Sequence, residues 1–254
     1  MRLTYIRATS AMTVRELLRS RIALVLLFVI PTLFYALIML TTTNRTIAFK
    51  LASVSEEVVV EVSERSESLI FVGLAAVGLL TSFLAMNLVQ KHAEVNRRLV
   101  LSGYKPSELI VGKFAVLLGV IILIALYVGA LLLLFDSPKN FPLVIFGFAL
   151  GGYVYGTYGL LVGSLFKREL EGILLIVLLA NIDAGWLQNP IYYAEAQSKW
   201  IIRHLPAYFP SQMAMVAAFT DQSVWGPLTG SLVYGSIFLI VALFVYFRRM
   251  RIQQ

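Results

Sequence analysis

Residues 116–135 read VLLGVIILIALYVGALLLLF, twenty in a row without a charge. As a helix rising 1.5 Å per residue, this run covers about 30 Å, the thickness of a bilayer's hydrocarbon core. A membrane-spanning barrel strand would alternate apolar and polar side chains over about ten residues, whereas this run is apolar on every face. Hydrocarbon holds no water to satisfy a backbone, so the segment must bond to itself and spans as a helix. Working outward, comparable runs occupy residues 22–40, 69–89, 109–135 (which contains the quoted stretch), 141–166, 172–187 and 228–247. Six spans follow, the fifth short, and the expected fold is an all-α polytopic membrane protein with one transmembrane domain over residues 1–254.

Composition agrees. Only 14% of residues are charged and 59% are hydrophobic, with a mean hydropathy of +0.83, against about 25% charged in a soluble domain. The chain has no cysteine, which excludes disulfides, thiolate metal sites and thiol nucleophiles. Its two histidines, His92 and His204, lie far apart in sequence, so a histidine-rich metal centre is not expected. The first apolar run follows a segment with five arginines and contains Pro31 without a small-residue cleavage pattern, so it reads as a retained span.

An even number of spans puts both termini on one side. Of the 21 basic residues, 15 fall on that side: Arg2, Arg7, Arg15, Arg19 and Arg21 before the first span; Lys91, Arg97, Arg98, Lys105 and Lys113 between the second and third; Lys167 and Arg168 after the fourth; Arg248, Arg249 and Arg251 in the tail. By the positive-inside rule that side is cytoplasmic, with the chain multi-pass in the cell membrane. The basic excess is then an attraction to anionic membrane lipid, and no nucleic-acid partner is expected.

Three segments carry further signals. Residues 9–21, TSAMTVRELLRSR, read as an amphipathic helix on the membrane surface, with Val14, Leu17 and Leu18 on one face and Arg15 and Arg19 on another; the Thr13 and Glu16 spacing predicts a capping box and a helix start at Thr13. The first external loop, residues 41–68, holds Glu56, Glu57, Glu61, Glu64 and Glu67 around VVVEV and reads as a solvated acidic face; its Asn44-Arg45-Thr46 is a common accidental glycosylation match. Residues 191–219, between the fifth and sixth spans, are apolar but broken by Pro206 and Pro210 and dotted with aromatics; short helices dipping into or lying on the outer leaflet are expected, covered by protein.

Two intramembrane features are candidates for a pathway. The fourth span interleaves six glycines with Tyr153, Tyr155 and Tyr158, which fits a tyrosine-lined path and equally a tight helix contact with aromatic filler. The fifth carries Asn181 and Asp183, the latter about 16 Å beyond Gly172. An intramembrane carboxylate is a candidate for substrate contact or proton relay, while a cap on backbone amides or a pairing with Lys199 or Arg203 would make it structural.

Catalytic signatures are missing: Gly112-Lys113 is followed by Phe114 and preceded by Ser107 where a phosphate loop needs glycine, and no HExxH or GxSxG occurs. The chain is not expected to be an enzyme. Between the second and third spans, a helix over 91–102 places Lys91, Glu94 and Arg98 along one side and Val95 and Leu99 on another, with Gly103 to end it and Pro106 barring continuous helix.

Here RLVLSGYKPSELIVGK, Arg98 to Lys113, resembles the signature of the ABC-2 type permease family, the membrane subunits of ABC exporters. The order of amphipathic helix, six spans, proline-broken outer segment and FRRMR tail extends the resemblance loosely over the whole chain. One departure is Glu94-Val95-Asn96, where many members have an acidic residue followed by Gly-Thr. The resemblance implies two ABC ATPase subunits carrying ATP and Mg²⁺, no cofactor in this chain, and a second permease copy or a related permease chain forming the pathway. It assigns ATPase coupling to Lys91, Glu94, Arg97 and Arg98, to the turn at Gly103 and Pro106, and to Arg15, Glu16 and Arg19 of the first helix. An amphiphilic drug, natural product or lipid is the expected cargo. The alternative is an ion- or proton-coupled carrier or channel using Asp183.

Overall fold

The structure is a computed structural model that describes residues 2–51, 59–91, 93–166 and 168–252; the side chains of residues 93, 94, 96, 97, 194, 195 and 250–252 are outside the description. Among the described residues six helices are long and apolar enough to cross a membrane: α2 (Arg21–Thr41), α3 (Glu64–Gln90), α5 (Pro106–Leu133), α6 (Phe141–Leu165), α7 (Glu169–Ile182) continued by a π-turn (Asp183–Leu187), and α11 (Trp225–Ile252) as far as Arg249. Ahead of them lies α1 (Leu3–Arg19), and α4 (Ala93–Leu101) links α3 to α5.

Helices α3 and α6 form the centre. They run parallel in one register, Leu74 against Gly151, Gly78 against Tyr155, Ser82 against Gly159 and Met86 against Gly163, four residues per step on both. Three of the α6 positions are glycine, and where α6 has Tyr155 the partner position on α3 is Gly78, so one side always yields. At Gly159 the approach is backbone to backbone: a Cβ there would lie 2.7 Å from the Ser82 Cα. Apolar helices in lipid gain no hydrophobic drive to associate, and this close packing takes its place. Of the two sequence readings for the α6 glycines, the geometry shows the tight contact.

Helix α11 joins the opposite face of α6. The Tyr153 hydroxyl meets Ser236 Oγ at 3.1 Å, and the Arg249 guanidinium donates to the Ser164 and Phe166 carbonyls at 3.1 and 3.3 Å. Gln90 Nε2 also reaches the Phe166 carbonyl at 3.2 Å. The last turn of α6 thereby finds donors for carbonyls that helix geometry leaves unpaired.

At the opposite end of the bundle from the termini, the first connection forms an antiparallel hairpin, β1 (Thr46–Lys50) with β2 (Val59–Ser63), in the register Thr46↔Ser63. Phe49, Leu51 and Val60 turn into the main cluster with Tyr35, Leu74 and Ala214. Glu64 pairs with Arg45 at 2.7 Å, but Glu67 is fully buried, so the reading of these acids as one solvated face is corrected there. Its neighbours Glu56 and Glu57 lie outside the described residues.

Between the π-turn and α11 come α8 (Pro190–Glu195), α9 (Lys199–Arg203) and α10 (Tyr208–Phe219). Ten of the twelve α10 residues are buried, and the Lys139 and Asn140 amides donate to its last carbonyls at Ala218 and Ala217, 2.9 and 3.1 Å. Helix α10 is thus covered by protein, as a backbone in hydrocarbon requires, whereas α8 and α9 stay exposed at Tyr192, Trp200 and Ile201, so the expected cover holds for the α10 part of the segment only. The expected start of the first helix at Thr13 is wrong. Helix α1 begins at Leu3, and Thr13 sits inside it, buried, its hydroxyl bonded to the Thr9 carbonyl at 2.9 Å. Packing on α5 decides this: Gly112 leaves room for Thr9 and the Ile6 carbonyl, and Ser10 Oγ donates to the Gly112 carbonyl at 3.0 Å.

Candidate functional site

Two constructions stand out, one at the basic end of the bundle and one inside it. At the basic end, α4 stops by backbone chemistry. Gly103 adopts φ +95°, its amide donates to Val100, and the next amide, Tyr104, donates to Leu99, at 3.0 and 3.1 Å. This Schellman pattern needs a residue tolerant of positive φ. The chain then enters α5 through Pro106, and Glu108 gathers the junction: its carboxylate accepts from the Lys105 amide at 3.1 Å and the Arg2 amide at 2.8 Å. Tyr5 and Tyr104 meet edge to face at 4.4 Å. One level deeper, the buried Lys113 ammonium of α5 donates to the Leu88 carbonyl of α3 at 2.7 Å.

Helices α1 and α4 thus rest on the same base. Between them opens a cleft of about 400 Å³ lined by Thr13, Glu16, Val95, Leu99, Leu109 and Lys113 among others. Arg15 and Arg19 border it, exposed. Lys91, Arg98 and Gly103 are exposed on the α4 side, and Pro106 is half-buried. The side chains of Glu94 and Arg97 lie outside the described residues. Sequence reading missed Glu108 and the role of Lys113; the signal for Glu108 was an acid at the third position of a helix opened by proline.

The second construction centres on Asp183. It is fully buried, and both its oxygens are engaged: Tyr155 OH and the Ala207 amide donate to Oδ2, each at 2.7 Å, and Gln188 Nε2 donates to Oδ1 at 2.8 Å. One carboxylate ties together α6, the π-turn and the lead-in to α10. Lys199 and Arg203 turn to Tyr193 instead, Lys199 over its ring and Arg203 Nε donating to its hydroxyl at 2.8 Å. Asn181 points away, exposed, its amide on the Val177 carbonyl at 2.7 Å. The candidate pathway residues therefore separate: Tyr155 and Asp183 touch, Tyr153 faces α11, and Asn181 faces outward.

A family model described as "ABC-2 family transporter protein" matches residues 59–247, from β2 through most of α11, including α4 and Asp183. The chain belongs to the ABC-2 transporter family. Among curated proteins, none matches it. As an ABC-2 family member the protein is a membrane permease subunit of an ABC transporter, and its partner is an ABC ATPase. In this permease, replacing Gly103 by alanine should cost about 1–2 kcal/mol through the positive φ alone, since a Cβ there meets nothing within 4 Å. Thermal unfolding in detergent should show that loss, with Gly103→Asn closer to wild type because asparagine tolerates this conformation.

Proposed function

We propose that this permease exports an amphiphilic molecule, driven by separate ATPase subunits that press on α4 and α1 from the cytoplasm. In this reading two permease copies, or this chain and a related one, form the pathway along a shared interface in the cell membrane, with both termini cytoplasmic. Two ATPase subunits carry ATP and Mg²⁺, and this chain carries no cofactor. The observation behind the coupling assignment is the shared footing of α1 and α4. Glu108 ties the start of α1 to the start of α5, and Lys113 ties α5 to the last turn of α3. A displacement of α4 is therefore delivered to two spans and, through α3, to the α3–α6 contact.

Lys91, Glu94, Arg97 and Arg98 of the α4 segment, with Arg15, Glu16 and Arg19 of α1, are the proposed ATPase-facing contacts, and Gly103 and Pro106 set the angle at which α4 is presented. An amphiphilic cargo suits a pathway walled by the apolar faces of the spans. The alternative, a carrier titrating Asp183, has less support because protein donors already occupy both carboxylate oxygens.

The test is co-purification. Permease expressed with its partner ATPase should retain it, and Arg97→Glu with Arg98→Glu should lower the recovered ATPase by about tenfold while the permease melts as wild type. Full retention by that variant would overturn the assignment of α4.

A further inference from the structure

A second cavity, of about 490 Å³, opens between α1, the first turns of α2 and the middle of α5. Its walls are apolar, among them Val14, Leu17, Leu27, Val120 and Leu123, with Ser10 and Tyr127 as the polar members among the described residues. Tyr127 is turned aside, its hydroxyl bonded to Thr32 at 2.7 Å. The α5 wall runs from Ala115 to Tyr127. At 1.5 Å per residue that is about 18 Å, close to half of a 30 Å hydrocarbon core, and it begins near the end of α5 that carries the basic residues. The groove is as long as one leaflet is deep and belongs to the leaflet on the side of the termini.

Its rim is cationic. On α1, Ser10, Val14 and Leu17 form one face, and Arg7, three residues before Ser10, continues it. Arg21 opens α2 at the other end of the same wall, and both arginines are exposed. The ion pairs seen among the described residues, Arg45–Glu64 and Lys139–Asp221, lie elsewhere. A dry slot of leaflet depth under a positive rim is complementary to a molecule with one long apolar tail and an anionic head.

We infer that this groove holds an acyl chain of an anionic phospholipid, with the headgroup against the rim formed by Arg7 and Arg21. The bound chain fills the space between α1, α2 and α5 and steadies the elbow at Ser20, beside the cleft shared by α1 and α4.

The whole permease, reconstituted in vesicles of equal phosphatidylglycerol and phosphatidylcholine, extracted in mild detergent and examined by native mass spectrometry, tests this. One phosphatidylglycerol should survive washing, enriched over phosphatidylcholine by about 30-fold, the factor two interfacial arginines supply. Gly119 faces the groove, and a Cβ there would meet nothing within 4 Å. Gly119→Trp should therefore fill the slot and abolish retention without lowering the melting temperature. Arg7→Glu with Arg21→Glu should keep a bound lipid but lose the headgroup preference. Equal retention of both lipids by wild type, or undiminished phosphatidylglycerol on Gly119→Trp, would overturn the inference, as would a second copy of this chain cross-linking through position 119 in place of lipid.

Discussion

Asp183→Ala is expected to be the most damaging single substitution in the permease. It removes the acceptor for the Tyr155 hydroxyl, the Gln188 amide and the Ala207 backbone amide at a fully buried point. An orphaned buried donor costs about 1–3 kcal/mol, and two are orphaned together, the Tyr155 hydroxyl and the Ala207 amide, while Gln188 Nε2 keeps the Ile202 carbonyl at 3.3 Å. Against a total stability of about 5–15 kcal/mol for a domain, that loss should detach α10 from α6 and leave little folded permease in detergent. Tyr155→Phe removes one donor and leaves the carboxylate two others, so it should cost only about 1 kcal/mol. Asp183→Asn should fall between, because its amide can accept from Tyr155 and Ala207 but turns a donor toward Gln188. Monodispersity and thermal unfolding rank the three; an Asp183→Ala permease as stable as wild type would remove the latch from the account.

Gly159→Ala should be nearly as severe. The new methyl would collide with the Ser82 backbone, and a backbone inside a helix cannot swing aside as a side-chain tip does. Overpacking of this kind costs about 1–3 kcal/mol or more, and here it forces apart the two central helices along their whole register. Gly119→Ala is the control, with open space around the same added methyl. It should be neutral or slightly stabilising, by up to about 1 kcal/mol from helix propensity. The comparison is read in melting temperature and in the yield of monodisperse protein.

The spans were legible because hydrocarbon imposes length and apolarity on a helix and both are visible in one dimension. The stop of α4 at Gly103 was legible for a similar reason: its cause is local, a glycine and the two hydrogen bonds that follow it. What was missed depends on distant partners. The Thr13 and Glu16 spacing mimics a helix start, but Thr13 is turned inward on α5, which lies about a hundred residues away. The VVVEV run, three consecutive valines and a single glutamate, has no clean alternation, and its pairing with residues 46–50 was not foreseen. For Asp183 the sequence left capping, ion pairing and function open. The structure brings it a backbone amide, a glutamine and a tyrosine 28 residues away, while Lys199 and Arg203 are drawn to Tyr193.

The separation of motor and pathway is tested most directly by flux in proteoliposomes. With the partner ATPase bound, efflux of a fluorescent amphiphile should require ATP and Mg²⁺, should disappear with Arg97→Glu and Arg98→Glu, and should ignore an imposed proton gradient. Equal flux by this chain alone, without ATP and driven by that gradient, would contradict the account and return Asp183 to the centre of the mechanism.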